Sequence, residues 1–274
     1  GRRAGPQPML STRQTGVLAA AGAFAYVVYK RYNRGRTPTV EAALREDLAA
    51  AHALSAYFGF DELVWNHISA RFGDSLLVTP GTAHFDEVTP ESLVVSSSAN
   101  ANVTADVIHS AIYKARPDVG AIVHHHTTPT VAVACEQGGL RYLTQDSAAF
   151  HGRVAYYDWE GVSDDYDECR RIAAAFGDKA HTLIMRNHGV LTVGKTVGEA
   201  WVRHYYLDRV CRIQVALGSR PAVEPPKAVL EHAAAQYDDG SAFQHGMMEW
   251  ASLKRQAARL ASERKLRGLL ALVL

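Results

Sequence analysis

Residues 120–128 read GAIVHHHTT, an apolar run of strand type that ends in three consecutive histidines. Side chains alternate across a strand, so His124 and His126 share one face while His125 points to the other. Two imidazoles are thereby offered to one ion. With 13 histidines in 274 residues, composition alone would produce such a triplet about three times in a hundred. A third ligand has to come from elsewhere. His188, in RNHG at 186–189, stands at the end of another β-type run, where Gly189 lets the backbone turn sharply. Three neutral imidazoles on a divalent ion leave one position open to water or a substrate oxygen, which is the arrangement of a catalytic rather than a structural site.

Working outward, further short β-type runs occupy 75–79, 92–96, 154–157, 182–186 and 190–193. Helical patterns lie between and around them. Residues 39–58 carry Ala and Leu at helical spacing and end at Gly59, and 104–115 and 163–176 follow, the latter with Ser163, Asp164 and Asp165 as N-cap and first-turn acids. Thr196 and Glu199 form a capping box ahead of the long run through Trp201, Tyr205, Leu207 and Val210. Strands alternating with helices predict an α/β or α+β layered sheet. After Pro221 the chain becomes polar and helical, and this tail is expected to pack on a neighbour or partner.

The formal net charge is +1, which gives no reason to expect a nucleic-acid partner. Cys135, Cys169 and Cys211 are widely spaced and contain no CxxC pair, so free thiols in a reducing, intracellular compartment are expected. The charge is nevertheless uneven. Residues 1–36 hold Arg2, Arg3, Arg13, Lys30, Arg31, Arg34 and Arg36 and no acid. Within them, the uncharged stretch 15–29 (TGVLAAAGAFAYVVY) runs into KRYNRGR, the pattern of an apolar helix halted by a positive anchor. At ~1.5 Å per residue it spans about 22 Å, short of the ~30 Å hydrocarbon core unless flanking side chains extend it. The expectation is a basic segment over 1–36 carrying a membrane or organelle-directed helix, a main domain over 37–217 and a helical extension over 218–274.

Five segments in order carry a resemblance: WNHISAR at 65–71, LVTPGTAHFDEVTPESLV at 77–94, IHSAIYKARPDVGAIVHHHT at 108–127, YYDWEG at 156–161 and IMRNHGVLTVGKTVGEAW at 184–201. Together they resemble the class II aldolase/adducin family. The resemblance implies a three-layer α/β/α sandwich, commonly a C4 tetramer with its site between subunits. It also implies that His124, His126 and His188 bind the metal, Zn²⁺ or alternatively Fe²⁺.

Family aldolases use the metal to polarise a substrate oxygen and a glutamate to move a proton at carbon. The glutamate position is Ala105 here, and Asp106 is the nearest carboxylate, about 100° round a helix. Asn66 and Ser69 match part of the family's phosphate-binding stretch, with Arg71 as an anion contact. Trp65 and the pair Val103 and Thr104 depart from it, which argues against a phosphorylated substrate. NHISAR and the PGTAHFDE run are nearer to the adducin-like branch. His67, His84, His109 and His151 read as structural histidines, Asp158 and Glu160 as loop acids beside Trp159, and Lys195 as no part of a phosphate loop. Three functions follow: a metal-dependent lyase on a small carbonyl or hydroxy compound, a non-catalytic subunit of a membrane-associated complex, or a non-haem iron oxygenase.

Overall fold

In the computed structural model, which describes residues 39–162 and 167–271, the described elements open with helix α1 (Val40–Phe58) and hairpin strands β1 (His67–Phe72) and β2 (Ser75–Val78). Strand β3 (Val94–Val95), helix α2 (Val103–Ala115), strand β4 (Ala121–His125) and the short helices α3 (Thr128–Cys135) and α4 (Gln145–Ala148) follow. Next come β5 (Val154–Tyr157), α5 (Glu168–Phe176), β6 (Thr182–Met185) and β7 (Gly189–Gly194). Helices α6 (Val197–Leu217), α7 (Lys227–Gln236) and α8 (Trp250–Ala271) complete the order. The seven strands form one sheet in the order β3-β2-β1-β4-β7-β6-β5. Every neighbouring pair is antiparallel except β5 with β6.

Alternation along the strands sorts the core into two layers. Ile68 and Ala70 of β1 and Ala121 and Val123 of β4 face Leu48 and Leu54 of α1 and Trp201 of α6. Ile122, Leu183, Leu191 and Val193 face the other way, against Ile108 and Ile112 of α2 and Ile172 and Phe176 of α5. The expected α/β/α sandwich is therefore what the chain forms. The same parity carries His124 to the α2 face and leaves His125 among Phe60, Phe85 and His204 on the α1 face.

Several elements differ from the sequence reading. Strand β1 was not foreseen, because His67, Ser69 and Arg71 interrupt its apolar pattern. The run at 92–96 shortens to two residues, Val94–Val95. Described residues of α5 begin its helix at Glu168, and the expected cap at Ser163, Asp164 and Asp165 lies outside them. The capping box at α6 is half formed: Thr196 accepts from the Glu199 amide, but the Glu199 carboxylate reaches past it to the Lys195 amide at 2.7 Å. It also pairs with buried Arg203 at 2.7 Å.

The described part of the tail packs on the chain's own core. Trp250 lies against Gly198 and Trp201, and Lys254 pairs with Asp47 at 2.8 Å. Residues Val40–Ala261 accordingly form one compact unit. Among the described residues no helix is long and apolar enough to cross a membrane, and the 15–29 stretch lies outside them.

Candidate metal centre

Strand β4 ends at His125, and β7 begins at Gly189 immediately beside it, with His125 opposite Val190 and His124 opposite Leu191. This register brings His188, one residue before β7, to the two histidines of the β4 end. The His126 Nε2 lies 2.8 Å from His124 Nε2 and 3.0 Å from His188 Nε2. Among the described residues these three form the group of His, Cys, Asp and Glu side chains whose donor atoms converge on one point.

The protons on these rings follow from their far sides. His124 Nδ1 faces the Val190 carbonyl at 3.1 Å, and a carbonyl only accepts, so Nδ1 carries the hydrogen and Nε2 a lone pair. His126 Nδ1 faces the Glu62 carboxylate at 2.8 Å, with the same consequence. Burial is the main force holding all three rings neutral. It keeps His124 well below the usual histidine range, with the neighbouring histidines adding to the effect, and lowers His188 to about 4. It lowers His126 too, against the opposing pull of Glu62. Two lone pairs at 2.8 Å repel unless a cation sits between them. The donor set therefore fits a borderline divalent ion, with Glu62 and Val190 as the outer partners that such ligands use.

Two loops hold this geometry under strain. Among the described non-glycine residues, only Leu63 (φ 48°) and Asn187 (φ 57°) have positive φ. Leu63 lies between Glu62 and Trp65, and Asn187 immediately precedes His188. Left-handed backbone is costly for a leucine, and such strain persists where surrounding structure enforces it, commonly at functional sites. Gly189 serves a different purpose from the expected sharp turn, since positive φ falls on Asn187 instead. A Cβ at Gly189 would stand 2.5 Å from His126 Cδ2 and 2.8 Å from the His125 carbonyl oxygen. The glycine is needed for close approach, so that His126 can lie over β7.

The triad opens into a cavity of about 730 Å³. His67 lines it, opposite His124 in the β1–β4 register and stacked on that ring at 4.7 Å. Behind His67, Nδ1 meets His109 Nε2 at 2.9 Å, and His109 Nδ1 meets the Ser69 hydroxyl at 2.6 Å. Ser69 is thus fully buried, bonded also to Tyr113, and not on the cavity wall. Arg71 is likewise absent from the wall: its guanidinium binds the carbonyls of Val119, Tyr113 and Arg116.

Asn66 is buried beside the site, donating to the Phe60 carbonyl at 2.7 Å and accepting from the His126 amide at 3.2 Å, so it positions a ligand's backbone. Asp106 does not reach the cavity and accepts from Ser110 at 3.3 Å, one turn along α2. Of the YYDWEG loop, Trp159 lines the cavity, while Glu160 pairs with Arg171. Glu62 is the carboxylate of the wall, and sequence reasoning missed it. It is one of 28 acidic residues, and no local pattern distinguishes it.

The sequence matches the family model of the Class II Aldolase and Adducin N-terminal domain over residues 46–215. It is 34% identical to a protein of Caulobacter vibrioides provisionally named an aldolase class 2 protein, over 82% of this chain and 93% of that one. Alpha-adducin of Rattus norvegicus is 36% identical over 64% of this chain, a match that spans 26% of the adducin. Among solved structures, an L-fuculose 1-phosphate aldolase from Glaciozyma antarctica superposes with a TM-score of 0.70 at 28% identity, covering 83% of this chain and 96% of that one.

Proposed function

The chain belongs to the class II aldolase and adducin family, and on that premise we propose that it is a metal-dependent lyase acting on a small carbonyl or hydroxy compound. The observation that carries this reading is the convergence of three imidazoles held neutral by burial, whose Nε2 atoms stand 2.8 and 3.0 Å apart. When bound, a divalent ion, zinc by the softness of the donors, supplies Lewis-acid polarisation of a substrate oxygen. His124, His126 and His188 would hold it. Glu62 and the Val190 carbonyl fix which ring nitrogens are free, and Asn66 fixes the His126 backbone. The small-molecule size of the substrate follows the cavity, whose volume of about 730 Å³ is within the usual range for such ligands.

One observation favours a second reading. Position 105 is a buried alanine and Asp106 lies off the cavity wall, so helix α2 brings no carboxylate to the metal centre. A binding subunit without turnover would need none, and the adducin likeness fits that role. In this reading, the seven basic residues and the apolar 15–29 stretch of 1–36 attach the chain to a membrane or membrane complex. Fe²⁺ on the same ligands would make the protein an oxygenase instead.

Elemental analysis by plasma mass spectrometry, on the intact protein and a His124→Ala/His126→Ala variant purified without added metal, tests the proposal. About one zinc per chain, lost in the variant, supports the lyase. Iron in its place favours the oxygenase. No metal in either sample overturns both and leaves the subunit reading, which flotation of the full chain with anionic vesicles then tests.

A further inference from the structure

The wall above the triad is apolar and aromatic. Trp65, Val131, Ala132, Trp159 and Val162 line it, with His67 and Thr104 as polar neighbours of the ligand histidines. Trp65 and Trp159 are 56% and 59% exposed, although tryptophan is the side chain with the most to gain from being covered. They come from separate loops. The first of these is the strained turn in which Leu63 adopts φ 48° between Glu62, held on His126, and Trp65. A single strained backbone segment thus sets a ligand partner and an aromatic wall together.

Among the described residues, no lysine or arginine stands on the wall of this cavity. Nearby arginines are committed elsewhere: Arg71 to three carbonyls, Arg186 to the Glu136 carbonyl and the face of Tyr156, and Arg171 to Glu160. The N-terminus of α2, which reaches the cavity through Thr104, is closed by its own cap, since Asn102 Oδ1 accepts from the Ala105 amide and the Thr104 hydroxyl. A phosphate group recruits guanidinium or ammonium groups or free helix-end amides, and the described residues around the cavity hold none of these in reserve.

From this we infer that the substrate is an aryl-bearing hydroxy or oxo compound without phosphate, its ring covered by Trp65 and Trp159 and its oxygen end turned to the histidine triad. The inference rests on the metal-centre reading above and adds the chemical class that the site takes. Trp65 and Trp159 act as specificity-determining residues, since their faces reward a flat ring and give nothing to a sugar phosphate.

The test is isothermal titration of the zinc-loaded full chain with four probes: 3-phenyllactate, lactate, dihydroxyacetone phosphate and dihydroxyacetone. Phenyllactate and lactate share the same oxygen end, so their ratio reads the ring alone. Phenyllactate is expected to bind at least about tenfold more tightly than lactate, and the phosphate is expected to add nothing over dihydroxyacetone. Trp65→Ala and Trp159→Ala should each remove most of the phenyllactate advantage, leaving lactate affinity and zinc content as in the parent protein.

Equal affinity for phenyllactate and lactate, or a tenfold gain from phosphate, overturns the inference. So does a change in sedimentation mass in the tryptophan variants with binding unaltered, because the rings would then serve contact with a second copy. Zinc content is read separately. A chain that binds zinc but shows no ring preference loses this inference and keeps the metal centre, whereas one that binds no zinc but retains tryptophan-dependent phenyllactate binding loses the lyase reading and keeps the aromatic site.

Discussion

Acidification should unfold this protein at a pH where ordinary surface histidines are harmless. His52, His109 and His204 are fully buried and His245 nearly so. Burial lowers His52 to about 4 and the other three to about 3 each. In the unfolded chain each titrates near 6.5. Above that value both states are neutral and the four rings contribute no pH dependence. Below it the unfolded chain takes up protons that the folded chain refuses, so stability is present above 6.5 and is lost as the pH falls towards the folded values.

Each ring costs about 1.4 kcal/mol per pH unit within that window. Between pH 7.5 and 5.5 each therefore contributes about 1.4 kcal/mol of loss, and the four together about 5 to 6 kcal/mol, comparable with the whole stability of an ordinary domain. Urea unfolding followed by circular dichroism at pH 7.5, 6.5 and 5.5, with chelator present throughout, measures it. At an m-value of roughly 2–3 kcal/mol/M the midpoint should fall by about 2 M.

His204→Phe isolates one ring. His204 sits between Phe60 and His125, and neither of its nitrogens has a hydrogen-bond partner among the described residues. The variant should be more stable at every pH, with the gain larger at 5.5 by about 1.4 kcal/mol. A midpoint that moves by less than about 0.3 M from pH 7.5 to 5.5, or a His204→Phe gain independent of pH, would refute the reasoning.

Three further outcomes are expected. Glu62→Gln keeps an acceptor for His126 Nδ1–H but removes its charge, and should weaken zinc binding about 10- to 100-fold in competition with a chromophoric chelator; unchanged affinity would deny Glu62 its role. Gly189→Ala forces a Cβ to within 2.5 Å of His126 Cδ2, so it should destabilise by about 1–3 kcal/mol and lower zinc stoichiometry together, and retention of full zinc would show that His126 is free to move. Glu199→Ala strands buried Arg203 without its 2.7 Å partner and should cost about 3–5 kcal/mol in urea unfolding; a loss below about 1 kcal/mol would mean that Arg203 finds another acceptor.

Local periodicity determined a good deal of this protein. A strand period of two separates His124 and His126 from His125, and that parity holds in the sheet, where His125 is buried against α1 while its neighbours face the cavity. Apolar spacing marked α1, α2 and α6, and the RNHG run marked the third histidine. These features are legible because each depends on residues within one turn or one strand.

Features that depend on distant pairing were not legible. His67 reads as structural in the sequence, and only the β1–β4 register shows that it stands opposite His124 on the cavity wall. Glu62 had no signature until its loop folded onto a histidine 64 positions later. Asn66, Ser69 and Arg71 matched a ligand-binding stretch by sequence, yet their polar atoms are spent inside the chain. Asp106 was near Ala105 in sequence but one helical step round from the cavity. Sequence spacing sets which way a side chain points from its own element; only packing between elements decides what it meets there.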